Sequence, residues 1–377
     1  MKTPLEKKII RRITAGERMT FKQFMAMSLY DPEFGYYRSP KLVIGKWGDF
    51  YTSAHLHSVF GSVIGKQIRE MWEYADRPDQ FAIVEVGGGE GHICRDMLTY
   101  LQDSPFFNAL RYVIVEINPA MQGKQQKLLG SFCNKVRWAP SLADVEPVGC
   151  GCIFSNELLD AFPVHLVTME EELREIYISV QGDTLIEEAG PVSSPEIAAY
   201  FDDAKILLDR GYRTEVNFGI RDWLKDIDKV LEKGFVLTID YGYHARDYYS
   251  EDRNRGTLIC YHQHRIIEDP LQHIGLQDIT CHVNFSAVRK WGEEVGLRTV
   301  GWSSQGAFLV SLGIDEEIQK LAAQSEDYLF ELARIKKLII PQGMGDSHMV
   351  MIQYKGADKS GTPNLKGFSL RNQMRHL

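Results

Sequence analysis

The sequence has no apolar run long enough to span a bilayer and no secretory h-region, which excludes insertion into a membrane and makes the cytoplasm the default expectation. It has no C-x-x-C pair. Its six cysteines, at 94, 133, 150, 152, 260 and 281, sit mostly inside apolar runs and read as buried thiols in a reducing compartment. It has no block of lysine and arginine, and its net charge is −8. Phosphate contact needs clustered cations, so a general nucleic-acid binder is excluded. The short basic stretch Lys7-Lys8 with Arg11-Arg12 reads as a solvated helix face, and the acids around it are unlike a transit peptide. Internal repeats and low-complexity tracts are absent too. What remains is an ordinary globular composition, 44% hydrophobic and 25% charged over 377 residues. That length can bury a core without disulfides or metals.

Up to about residue 75 the chain reads as mostly helical. Phe60, Val63, Ile64, Ile68, Met71 and Trp72 recur at helical spacing as one apolar stripe. From about residue 80, short apolar runs alternate with helical stretches: Phe81–Val86, Arg111–Ile117, Lys135–Trp138, Cys152–Ser155 and Phe235–Asp240. Runs of that length between turn signals suit buried parallel strands, and their alternation with helices predicts a doubly wound α/β domain. The expected division is a helical extension over 1–75, a core over 76–166 and 233–355, an insertion over 167–232 and a flexible tail over 356–377. The insertion holds a predicted hairpin, Glu172–Val180 and Thr184–Glu188 around Gln181-Gly182-Asp183. Two further strands are expected at Gly306–Gly313 and His348–Tyr354.

The run Phe81–Val86 is followed by Gly87-Gly88-Gly89-Glu90-Gly91 and then by a helical pattern through Ile93, Met97, Leu98 and Leu101. One glycine there would be a plain strand-to-helix turn, but three at alternate positions let the backbone approach a ligand closely. A dinucleotide loop requires G-x-G-x-x-G, and its third glycine position is occupied here by His92. The third glycine comes one residue early, at Gly91. There is no Gly-Lys-Ser/Thr of a phosphate loop. Glu85 is a poor neighbour for pyrophosphate and a good one for an ammonium group, such as that of S-adenosylmethionine. The second predicted strand leads into Glu116, a carboxylate suited to the two hydroxyls of an adenosine ribose.

The fourth predicted strand runs into Asn156-Glu157-Leu158-Leu159-Asp160-Ala161-Phe162-Pro163-Val164. Ligands of doubly wound sheets lie beyond the carboxyl ends of the strands, so Asn156, Glu157 and Asp160 would face the site. Carboxylates hold a guanidinium by charge-assisted bonds and can orient its nitrogen toward a methyl group. Helix capping is the plainer reading of the same residues. Asp240 and Tyr241 close the fifth strand on the same rim, and Glu215 and Asn217 are weaker candidates. Cys260, His262 and His264 would share one strand face as metal ligands, but no second cluster accompanies them and no metal is expected.

These segments resemble the MidA family of methyltransferases, whose mitochondrial members assist assembly of respiratory complex I. The resemblance spans about residues 15 to 355. It rests on Leu29-Tyr30-Asp31-Pro32-Glu33-Phe34-Gly35-Tyr36-Tyr37, Gly48-Asp49-Phe50-Tyr51-Thr52-Ser53, Glu85 through Gly91, Asn156 through Val164, Asp240-Tyr241-Gly242, and Gly275 through Phe285. It implies a Rossmann-like class I methyltransferase fold with a seven-stranded, mostly parallel sheet. It implies S-adenosylmethionine as cofactor and arginine methylation of a protein partner, with a respiratory complex subunit as a candidate. By the resemblance Glu85, Gly87, Gly89 and Glu116, with Gly91 beside them, bind the cofactor, and Asp49 and Thr52 close the site. Glu157 facing the acceptor nitrogen is an inference from charge. The chain departs from the family at Ala54-His55, where Pro-Glu is usual, and at Asn284, where Asp is frequent. Both changes remove a carboxylate. A bacterial member is expected, since no presequence stands out. A non-catalytic assembly factor that binds a client, and a small-molecule methyltransferase, remain open at this point.

Overall fold

The structure, a computed structural model, describes residues 2–40, 42, 53–357 and 363–377. The chain divides into two compact units. One comprises Tyr51–Leu158, Trp223–Gly242 and Phe285–Leu377, and the other Met1–Phe50, Leu159–Asp222 and Tyr243–Asn284.

The first unit is built on a sheet whose main path has seven strands: β1 Phe81–Val86, β2 Leu110–Val115, β3 Val136–Ala139, β4 Gly151–Asn156, β5 Gly234–Tyr243, β6 Arg298–Ser304 and β7 His348–Lys355. Their spatial order is β3-β2-β1-β4-β5-β7-β6. The four pairings from β3 to β5 are parallel, and β7 lies antiparallel between β5 and β6. Parallel strands are covered on both faces by their crossover helices, so their central members are buried nearly end to end. Accordingly every residue of β4 except Asn156 is buried. One covering helix is Val59–Tyr74, which buries the whole predicted stripe from Phe60 to Trp72. Another is His92–Leu101, entered from the glycine loop, which buries Ile93, Met97, Leu98 and Leu101. The strand order reverses between β1 and β4, and at such a switch point the carboxyl ends diverge into a crevice. The glycine loop and Asn156-Glu157 stand at those two ends.

The second unit joins three separate stretches of chain. Its main sheet pairs Met19–Thr20, Leu173–Gln181, His165–Met169 and Arg213–Val216 in that order, with Thr184–Pro191 alongside Leu173–Gln181. The hairpin closes with Gln181 opposite Thr184. Glu215 is a structural acid here. It is buried and accepts from the N–H groups of Thr257 and Leu258 and from the Tyr248 hydroxyl, so it anchors a neighbouring loop. Asn217 donates to the Leu159 carbonyl.

Several expectations are corrected. The helix Val59–Tyr74 belongs to the sheet's own core, so the N-terminal part of the second unit ends earlier than residue 75. Residues 243–284 group with the insertion, because their small sheet of Ile259–His262, Arg265–Ile267 and Asp278–Thr280 pairs within that unit. Gly306–Gly313 is no strand. Gln305–Ser311 is a helix, and the strand is the preceding Arg298–Ser304; a short apolar run without periodicity is ambiguous between the two. Cys260, His262 and His264 do not share a strand face. The chain turns between Ile259–His262 and Arg265–Ile267, with Gln263 and His264 both at positive φ. His262 instead stacks on His273, centroids 4.2 Å apart. Among the described residues no helix is long and apolar enough to cross a membrane.

The expected flexible tail is also corrected. Residues 363–377 carry Leu365 and Phe368, both buried. The Phe368 ring packs on Phe308 at 5.4 Å, and it fills the space beside Gly301, where a Cβ would meet it at 2.0 Å. Replacing Phe368 with Ala is expected to cost about 3 kcal/mol or more. The measurement is the shift of the urea unfolding midpoint; an unchanged midpoint would mean that the tail is not docked in solution.

Candidate active site

The glycine loop is shaped by backbone that side chains resist. Gly87, Gly89 and Gly91 have φ of 72°, 52° and 89°, all in the left-handed region. Gly91 forms the N-cap of His92–Leu101, and a Cβ on it would press on Gln125 at 3.3 Å. Gln125, which the sequence reading did not single out, ties three pieces together. Its Nε2 donates to the Gly89 carbonyl (2.7 Å) and to Glu116 Oε2 (3.3 Å), and its Oε1 accepts from Trp138 Nε1 (2.8 Å). It is wholly buried, and no local pattern separates it from a surface glutamine of its helix, Pro119–Leu129.

Glu116 follows β2 directly. It is buried and its Oε1 also accepts from the Asn118 N–H at 2.8 Å. Glu85 lies against the loop backbone, its carboxyl carbon 3.4 Å from where a Gly88 Cβ would be. Its Oε2 accepts from the Tyr112 hydroxyl at 2.8 Å. Burial pushes the Glu85 carboxyl up to about 8; the Tyr112 hydrogen bond opposes that shift and the Glu116 charge adds to it.

At the end of β4, Glu157 takes a left-handed backbone, with φ of 50°. A non-glycine residue held there is strained and must be fixed by its surroundings. Its N–H donates to the Ile239 carbonyl on β5 at 2.8 Å. Its Oε1 accepts from the Ser53 N–H (3.0 Å) and from Asn156 Nδ2 (3.1 Å). His348 Nε2, at the start of β7, lies 3.8 Å from the same oxygen. His348 went unnoticed in the sequence because the antiparallel register of β5 and β7 brings it there, opposite Tyr241. Asn156 Oδ1 is buried with no hydrogen-bond partner among the described residues.

The remaining candidates separate. Asp240 is wholly buried, and its two oxygens accept from the Leu158 and Tyr241 N–H groups at 3.1 and 2.9 Å. That arrangement fixes the loop after β4 rather than presenting an acid to the rim. Tyr241 is half-buried, its ring 5.6 Å from that of His348. Asp160 belongs to the other unit. It is buried near Tyr30, whose hydroxyl donates to the Ala161 carbonyl and whose pKa is raised by burial, Asp278 and Asp160 in turn. Asn284 donates to the Tyr200 hydroxyl in that unit's core. Asp49 and Thr52 lie outside the described residues.

The sequence profile of a family of S-adenosyl-L-methionine-dependent methyltransferases matches residues 63–303, from the helix before β1 into β6. The chain belongs to the MidA family of methyltransferases. It is 26% identical over 393 residues to the mitochondrial protein arginine methyltransferase NDUFAF7 homolog of Drosophila melanogaster, covering 93% of this chain and 85% of that one. The Danio rerio protein arginine methyltransferase NDUFAF7 is likewise 26% identical, covering 90% and 84%. A crystal structure from Burkholderia thailandensis bound to S-adenosyl-homocysteine is 28% identical and superposes with a TM-score of 0.90, covering 100% and 99%.

The methyltransferase's own residues fit that cofactor. The three-glycine turn leaves the loop without side chains at its bends, Glu116 is held at the end of β2, and Asn156 keeps a buried acceptor atom at the end of β4. Glu85 gives a pH test. Its folded pKa lies above the ordinary value near 4.3. The folded state therefore binds the extra proton, and stability falls as pH rises from about 4.3 to about 8. Glu85→Gln keeps an acceptor for Tyr112 and removes this loss. The cofactor-free variant is expected to melt roughly 2 °C or more above the parent at pH 9, and level with it near pH 4. Parallel melting curves of the two proteins across that range would contradict the assignment.

Proposed function

We propose that this S-adenosylmethionine-dependent methyltransferase acts on a terminal nitrogen of an arginine side chain in a protein partner, with Glu157 as the acceptor-binding carboxylate. The observation that carries the reading is the strained, braced placement of Glu157 beyond β4, with His348 Nε2 at 3.8 Å. The names of the fly and fish relatives support the choice of arginine.

When bound, the cofactor supplies an electrophilic methyl group on a sulfonium. The glycine loop, Glu116 and Gln125 would hold it, with Glu85 beneath the loop acting through the field of its carboxyl. Glu157 pairs with the guanidinium and turns one terminal nitrogen toward the methyl group. Transfer would break the methyl group's S–C bond, leaving a neutral thioether, and form an N–C bond, and the proton shed by the nitrogen would pass to Glu157 Oε1 or to the neighbouring His348 Nε2. Asn156 holds the carboxylate's orientation through Nδ2, and Asp240 and Tyr241 support the loop and the histidine. Asp160, buried beside tyrosines in the other unit, is a supporting rather than reacting group. Asp49 and Thr52 remain assigned to site closure by the family resemblance. A respiratory complex subunit in a bacterial cytoplasm is the candidate acceptor on the same ground.

The test uses cofactor carrying a labelled methyl group with host lysate, followed by hydrolysis and identification of the labelled amino acid. Methylarginine in a discrete protein band is expected. Glu157→Gln should leave cofactor affinity within about threefold and lower transfer roughly 100-fold or more, whereas Gly89→Val should abolish cofactor binding. Full transfer by Glu157→Gln, or label on another residue type, would overturn the reading.

A further inference from the structure

On the rim of the glycine loop, the structure gathers a donor set that the sequence hid. His55, on the short helix Ser53–Leu56, meets Glu90 and His92 from the glycine loop and the helix after it. One ligand atom from each lies within 4.8 Å of the other two. The imidazoles of His55 and His92 pack edge to face, centroids 5.0 Å apart, and His92 Nε2 stands 3.6 Å from Glu90 Oε2. In the sequence, His55 stands out only as a departure from the family pattern, and no metal is expected.

We propose that His55, Glu90 and His92 form a binding site for a divalent first-row transition cation of the zinc type. Two imidazole nitrogens and one carboxylate oxygen are a donor set such ions take, with a position left for water. Ligand atoms around tetrahedral zinc stand roughly 3.4 Å apart, as bond lengths near 2.1 Å require. An ion would have to draw the three ligands closer, and Glu90 and His92, each with 24% of the side chain exposed, are not locked in the core. Lys124 Nζ lies 3.2 Å from the other Glu90 oxygen, a contact of the kind that orients a metal-ligating carboxylate. Arg334 donates to the main-chain carbonyl of His55 at 2.9 Å and so fixes the backbone that carries it.

Simple ring packing is the competing account of the pair. It gives no reason for a carboxylate to converge on two desolvated imidazoles, while a cation accounts for all three. A bound ion would clamp the helix that carries Ser53, and so the N–H that braces Glu157, to the cofactor loop. The site stands independently of which acceptor is methylated.

The experiment is zinc titration of the full chain by calorimetry, paired with cobalt substitution read as visible d–d absorption. One ion per chain is expected, with the cobalt band present. His55→Ala and Glu90→Gln should each weaken binding at least about 10-fold and bleach the band. His262→Ala, at the other histidine pair, should leave both unchanged. Glu90 is partly exposed, so its variant folds even if His55→Ala does not, and thermal melts check each. Absence of stoichiometric zinc binding, or full affinity in Glu90→Gln, overturns the proposal.

Discussion

The working end of the sheet depends on holding one residue, Glu157, in a backbone conformation that its side chain disfavours. The strain persists because neighbouring elements over-determine it. Its N–H is fixed to β5, the next N–H is fixed by Asp240 from the same strand, and its carboxylate is caught by Ser53 and Asn156. The ends of β4 and β5 therefore set one another, and the carboxylate is aimed by the fold rather than by its own rotamer freedom. Such pre-organisation is what methyl transfer asks of a protein, since positioning carries much of the rate.

The other half of the crevice follows a different rule. There the glycines supply the conformation at little steric cost, and the constraint is electrical. Glu85 and Glu116 stand near each other in a buried region, and the first is driven toward its protonated form. A cationic ligand relieves that situation; pyrophosphate would aggravate it. If the loop holds the cofactor as proposed, the discrimination between cofactor classes carried by the early arrival of Gly91 has a second source in the sheet beneath it.

Those features that local sequence can encode were legible. Buried parallel strands announce themselves as short apolar runs, and the glycine turn and the acids at the carboxyl ends of β1, β2 and β4 lie at fixed offsets from them. Features that exist only through tertiary pairing were not. Gln125 looks like any helical glutamine until the helix docks beneath the loop. His348 matters only through the register of β7 against β5. His55 needed a partner 37 residues away in sequence, His92. The stretch Gly306–Gly313 reads as a strand because a short apolar run carries no period, and the tail reads as flexible because two buried side chains among polar neighbours give little signal.

The second unit draws on three stretches separated by parts of the first, and that has a cost in time. Its opening stretch, Met1–Phe50, leaves the ribosome long before its last stretch ends at Asn284. At roughly 5–20 residues per second the wait is on the order of 10 to 50 s. During it, the apolar faces of the first helices, with Leu5, Ile9, Phe21, Phe24 and Leu29, have no completed core to enter. A nascent chain in that state is a natural client for a chaperone that shields apolar surface.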